Sequence, residues 1–141
     1  GCAMGSAEKA SNFEDMVAQA EAAVAALRDS YRAQLLEDVD ALLQIWAGVE
    51  AGRDIAAIMK DVHAIAHNVK GQGGSFGYDL VTSIGASLCD YIRSAERSSA
   101  DEINIVHAHI KILKMVGDND ISGTGGETGE RIVAKLAALT R

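Results

Sequence analysis

Apolar residues recur along most of this chain at spacings of three and four, the period of a helix with one buried face. The clearest stripe is Leu35, Val39, Leu42 and Trp46, widened by Leu36 and Leu43, with Gly52 as a stop. Upstream, Ser11-Asn12-Phe13-Glu14 reads as a capping box that opens a helix over MVAQAEAAVAALRDSYR. No glycine or proline separates that helix from the next, so the pattern leaves open whether the two are one. Asp54 is placed to cap a third helix with core positions Ile55, Ile58, Val62, Ile65, Val69 and Phe76, ending near Gly77. Asp79 is placed to cap a fourth, with Leu80, Ile84, Leu88, Tyr91 and Ile92 inward. A second capping box, Ser99 to Glu102, opens a fifth helix carrying Ile103, Val106, Ile110 and Leu113. Gly117 to Gly126 reads as a polar loop. A third box, Thr124 and Glu127, precedes a last helix with Ile132, Val133, Leu136 and Leu139. No internal repeat is visible.

Composition narrows this picture to one fold class. The chain has 141 residues, 48% of them hydrophobic, and no proline. It is long enough for one domain with a substantial core, and its many alanines favour helix. The expectation is an all-α helical bundle: an antiparallel up-down four-helix core with additional helical segments at the two ends. The domain spans residues 7–141, and residues 1–6, GCAMGS, read as an expression-tag remnant. Net charge is −7, which lacks the basic footprint of a nucleic-acid binder. No apolar run reaches the ~18 to 20 residues of a membrane span, and no signal peptide is evident. With Cys2 set aside, Cys89 is a lone thiol, which points to a reducing compartment and the cytoplasm.

Candidate chemistry concentrates in residues 63–77, HAIAHNVKGQGGSFG. At about 100° per residue, the core stripe of this helix centres nearly opposite His67. Lys60, His63, Ala64, Lys70, Gly71 and Gly74 fall within roughly 60° of it. An imidazole, with an ordinary pKa of about 6.5, is a competent nucleophile near neutral pH. Lys70, one turn on, is placed to offset charge on a group carried by His67. Gly71 and Gly74 remove bulk beside it. The third and fourth helices meet at a tight turn and are expected to pair as a hairpin. That brings residues near 87, and with them Cys89 and Arg93, across from His67.

The string His67-Asn68-Val69-Lys70-Gly71, with Gly77 ten residues after the histidine, resembles the H-x-x-K-G-x-x-x-x-x-G signature of histidine phosphotransfer (HPt) domains. Ala66, Leu80, Leu88 and Arg93 also stand where that family tends to have small, apolar and basic residues. The resemblance covers roughly residues 30 to 116. It implies a phosphoryl carrier of multistep phosphorelays, not a kinase. His67 would take a phosphoryl group from the aspartyl phosphate of one receiver domain and pass it to the aspartate of another. Lys70 would stabilise that group, with Arg93 as a second cation. Ala64, Gly71, Gln72 and Gly74 would form the surface on which a receiver docks. The chain itself would hold no cofactor; Mg²⁺ would sit on the partner receiver, in a response regulator or hybrid histidine kinase. One position departs from the family: Cys89 stands where Glu or Gln is usual, leaving Gln72, Arg93 or water to contact the imidazole.

Plainer readings stand beside this one. His67 and Lys70 can be ordinary surface residues, and Arg93 can simply pair with Asp90 or Glu96. His63 and His67, four apart, have the spacing of a zinc-chelating pair, but no further ligands converge on them in sequence, and no metal site is assigned. His107 and His109 flank an apolar stripe and read as boundary residues. Cys89 reads as a packed residue rather than a nucleophile. The alternative function is a helical adaptor that docks receivers, or regulates a kinase, without being phosphorylated. A monomer is expected, although an extended N-terminal helix would support a dimer.

Overall fold

The computed structural model describes residues 2–141, with side chains from Glu8 onward. The protein is an all-α helical bundle. Its elements are α1 (Cys2–Glu50), α2 (Ile55–Gln72), a 3₁₀ turn (Gly73–Phe76), α3 (Asp79–Ser94), α4 (Ala100–Asp118) and α5 (Gly126–Leu139). Among the described residues there is no strand, and no helix is long and apolar enough to cross a membrane. The assignment of residues 1–6 to a tag falls on side chains outside the described residues.

The two N-terminal segments are one helix of 49 residues. Ser11 is therefore not an N-cap but an interior position of α1. Helix-forming residues on both sides, and no glycine or proline near by, carry the helix through it. Only the second half of α1 enters the bundle. Tyr31, Leu35, Val39, Leu42 and Trp46 are buried there, whereas every residue from Glu8 to Leu27 is exposed. The helix stops at Glu50, and Gly52 takes a left-handed φ of 79° at the turn.

Contact pairs give the packing. Tyr31 stacks on Phe76 at 5.0 Å, while Gly48, farther along α1, faces Ile58 near the start of α2. Gly73 lies on Thr82, and Gly85 lies on the backbone of Ala66 and Lys70, so α2 and α3 run against each other. Gly117 of α4 meets Leu35 and Leu36, and His107 stacks on Trp46 at 5.3 Å. The core joins Leu35, Leu42, Ile58, Val62, Ile84 and Leu113, all fully buried. On α2, Met59 and Ala66 are buried as well, while the expected core positions Ile55, Ile65 and Phe76 are only half-buried.

The helix ends differ from the sequence pattern in part. Asp54 caps α2, accepting from Ala57 N at 3.1 Å, and Ser99 with Glu102 forms a complete capping box on α4. Asp79 is the first residue of α3 rather than its cap; Tyr78 holds that place with no side-chain bond. The carboxylate still lies in the first turn, where the helix dipole favours it. Thr124 is not the cap of α5 either. Gly125 is, at φ 77°, a left-handed conformation that favours glycine, and the Thr124 carbonyl packs on Gly129 so closely that a Cβ there would overlap it. The loop expected from Gly117 starts later: Gly117 is a buried residue inside α4. Val133, expected in the core, is 46% exposed.

Candidate functional site

The turn between α2 and α3 is stapled to the α4–α5 connection. Gly77, with φ 85°, adopts the left-handed backbone that only glycine takes freely. Its carbonyl accepts from Gly123 N at 2.6 Å, and Leu80 N donates to Gly123 O at 2.8 Å. The Tyr78 hydroxyl donates to Asp120 at 2.6 Å. These bonds hold the α2–α3 turn and the start of α3 against the α4–α5 connection.

His67 stands on that face, exposed, while Ala66 and Val69 on either side of it are fully buried. The imidazole makes no hydrogen bond to any described residue. Its one ring neighbour among the described residues is His63, half-buried, with centroids 6.3 Å apart and planes inclined by 18°. Among the described residues no three His, Cys, Asp or Glu side chains gather to hold a metal ion. Lys70, one turn on, is half-buried and forms no ion pair among the described residues. Ala64 is exposed.

The glycines divide into two kinds. A Cβ on Gly71 would meet nothing within 4 Å, so the surface beside His67 and Lys70 is open. Gly74 sits past the end of α2 in the 3₁₀ turn and is tied to α3. Its N–H donates to Thr82 Oγ1 at 2.7 Å, and a Cβ there would touch Thr82 and Asp79 at 3.5 and 3.6 Å. Gly74 thus serves the turn as well as the surface.

The hairpin brings Cys89 to this region, but not as a polar partner. Cys89 is buried, and that burial raises its thiol pKa; Lys70 and Arg93 pull it down, and Asp90 pushes it up. The side chain is therefore a neutral thiol within the field of both cations. Arg93 does not turn toward His67. It pairs with Asp90 at 2.7 Å and lines a groove with Ala56, Met59 and Lys60, about two turns N-terminal to His67 on α2. Gln72 stands on the opposite flank, beside Asn68 in a groove against α1.

Gly85 was absent from the sequence-derived site, yet it positions it. A Cβ at Gly85 would lie 2.9 Å from Lys70 N and 3.2 Å from Ala66 O. Only glycine lets α3 rest directly on the α2 backbone beneath His67 and Lys70. A glycine within an otherwise regular amphipathic helix was the signal that could have revealed it.

His109 needs a plain correction. It is not a boundary residue but is fully buried, with Nδ1 2.8 Å from Ile105 O and Nε2 2.8 Å from Ser87 Oγ. His107, half-buried against Trp46, does sit at the edge of the core.

Comparison of the chain with models of protein families, with curated proteins and with solved structures gives no match.

Proposed function

We propose that this protein is a histidine phosphotransfer carrier whose phosphoacceptor is His67. The observation that carries the reading is the setting of that imidazole. It is exposed and unpaired on a helix whose other face is core, one turn from Lys70, beside open space at Gly71. A ring nitrogen free of internal bonds can attack phosphorus in line, provided donor and acceptor approach closely. The N–P bond forms as the acyl phosphate P–O bond of a receiver aspartate breaks, and that aspartate leaves as a carboxylate. The reverse step delivers the group to a second receiver. Lys70 neutralises part of the charge on the phosphohistidine, and any Mg²⁺ belongs to the receiver. The chain would then be a carrier, not a kinase.

One observation favours the adaptor reading instead. Cys89 is a buried neutral thiol and Arg93 is held by Asp90, so neither of them orients the His67 ring. Incubation with a ³²P-labelled phosphorylated receiver distinguishes the two. The carrier acquires an acid-labile, base-stable label that His67→Gln does not. Absence of label on the wild type, or equal label on His67→Gln, overturns the carrier reading; receiver binding without label would establish the adaptor.

A further inference from the structure

The first half of α1 leaves the bundle with an apolar face that none of the described residues covers. From Glu8 to Leu27 every residue is exposed, including Phe13 at 67%, Val24 at 57% and Leu27 at 57%. A solitary helix of this length is marginal in water, and helices of globular proteins draw their stability from packing such a face. Phe13, Val17, Ala20, Val24, Leu27 and Tyr31 follow one another at alternating spacings of four and three residues. That is the seam of a two-stranded coiled coil, and at Tyr31 it runs into the protein's own core.

Where α1 meets the bundle, the seam widens into a groove of about 580 Å³. Its lining includes Leu27, Tyr31, Gln34, Asn68, Gln72 and Phe76, with the Tyr31 and Phe76 rings stacked face to face. One molecule therefore carries both a groove in which two stacked aromatic rings stand among polar Gln34, Asp38, Asn68 and Gln72 and, 18 residues up the same seam, an exposed phenylalanine.

We propose that two copies of this chain pair antiparallel along α1, each setting its Phe13 into the groove of the other. The register that places Phe13 opposite Tyr31 of the second copy also places Val17 opposite Leu27 and Ala20 opposite Val24. The interface is isologous, so each contact occurs twice. Glu14, Asp15 and Glu21 make the outer part of the helix acidic, and Arg28 lies at the bundle end. Arg28 rests over the Tyr78 ring at 5.9 Å and forms no ion pair among the described residues. The antiparallel register sets Glu14 beside Arg28 of the second copy at both ends of the seam, and Glu21 beside Glu21 at its centre. The seam from Phe13 to Tyr31 is about 27 Å long.

Sedimentation velocity over a concentration series tests the pairing. The wild type sediments as a dimer, and Val24→Asp sediments as a monomer. Val24 is 57% exposed in the single chain, so thermal unfolding at low concentration is unchanged in that variant. Glu14→Arg weakens the dimer by about tenfold through like-charge repulsion, and adding Arg28→Glu restores it. A wild type that stays monomeric at millimolar concentration overturns the proposal. So does a Val24→Asp variant that associates as tightly as wild type, or a charge exchange that fails to rescue.

Discussion

The chain has four histidines on two helices, and the helices set them in opposite environments. On α2, His67 is exposed and unbonded. On α4, His109 is fully buried, and both ring nitrogens are engaged. The Ile105 carbonyl can only accept, so Nδ1 carries the proton of the neutral ring. Nε2 then accepts from the Ser87 hydroxyl. The ring also lies against Tyr91, 6.4 Å between centroids, and Tyr91 is capped on its other side by the Arg97 guanidinium at 3.7 Å. His109 thus joins α3 to α4 and has no free nitrogen to offer chemistry. His67 bonds to none of the described residues, and both of its nitrogens are free of them. A histidine becomes a candidate for group transfer when the fold withholds partners from it, not merely when it lies on a helix face.

The comparison is broken most directly by removing each ring. His109→Ala should lower stability by about 3 kcal/mol, since it opens a cavity and strands the Ser87 hydroxyl. Urea unfolding followed through the buried Trp46 measures this. A change below about 0.5 kcal/mol would mean that His109 is not the structural member of the pair. Ser87→Ala should cost about 1 to 2 kcal/mol in the same assay, because Nε2 is left buried without a donor.

Acid sharpens the contrast. Burial holds the pKa of His109 below its ordinary 6.5, with the Ile105 carbonyl pulling weakly the other way. Burial and Lys111 do the same to His107, opposed by Glu50. The unfolded chain therefore binds more protons than the folded one as pH falls below about 6.5, and stability declines there; above that value the contribution is complete. His109→Gln should flatten the decline between about pH 7 and pH 5, and a slope equal to wild type would assign the effect elsewhere. Glu102 adds a separate step at lower pH. Its bonds to Arg97 and to Ser99 hold its carboxyl near 2, so its contribution is present above about 4.5 and is lost as pH falls toward 2.

On α2 the expected effects on the fold are smallest. His67→Ala should change stability by no more than about 0.5 kcal/mol, whatever it does to phosphoryl transfer. Lys70→Ala should slow transfer while leaving the unfolding midpoint nearly unchanged. A large thermal loss in either variant would show that the exposed face is part of the scaffold after all.

Much of this was legible beforehand, because a helical period forces apolar residues onto one side. Leu35, Leu42, Ile58, Val62, Leu88 and Ile110 needed only their spacing to be placed in the core. The exposure of His67 and the position of Gly71 beside it follow from the same phase. Capping patterns were less dependable. Asp54 and Ser99 cap their helices, but Ser11 sits inside α1, and Gly125 displaces Thr124. A capping residue acts only where the chain leaves the helix, and tertiary packing or an unbroken run of helix formers decides where that is.

What the sequence determined by itself was the all-α class, the helices that follow Gly52 with most of the face each buries, and the exposure of one imidazole opposite the core stripe. These depend on period and chirality, which are properties of the local chain. Tertiary structure alone decided that His109 is sealed between α3 and α4 and that Gly85 brings α3 onto the backbone of α2. It also decided that the Phe13 face is left uncovered. Each of these depends on which helix lies against which, and a residue at the edge of an apolar stripe is buried or exposed according to the neighbour that covers it.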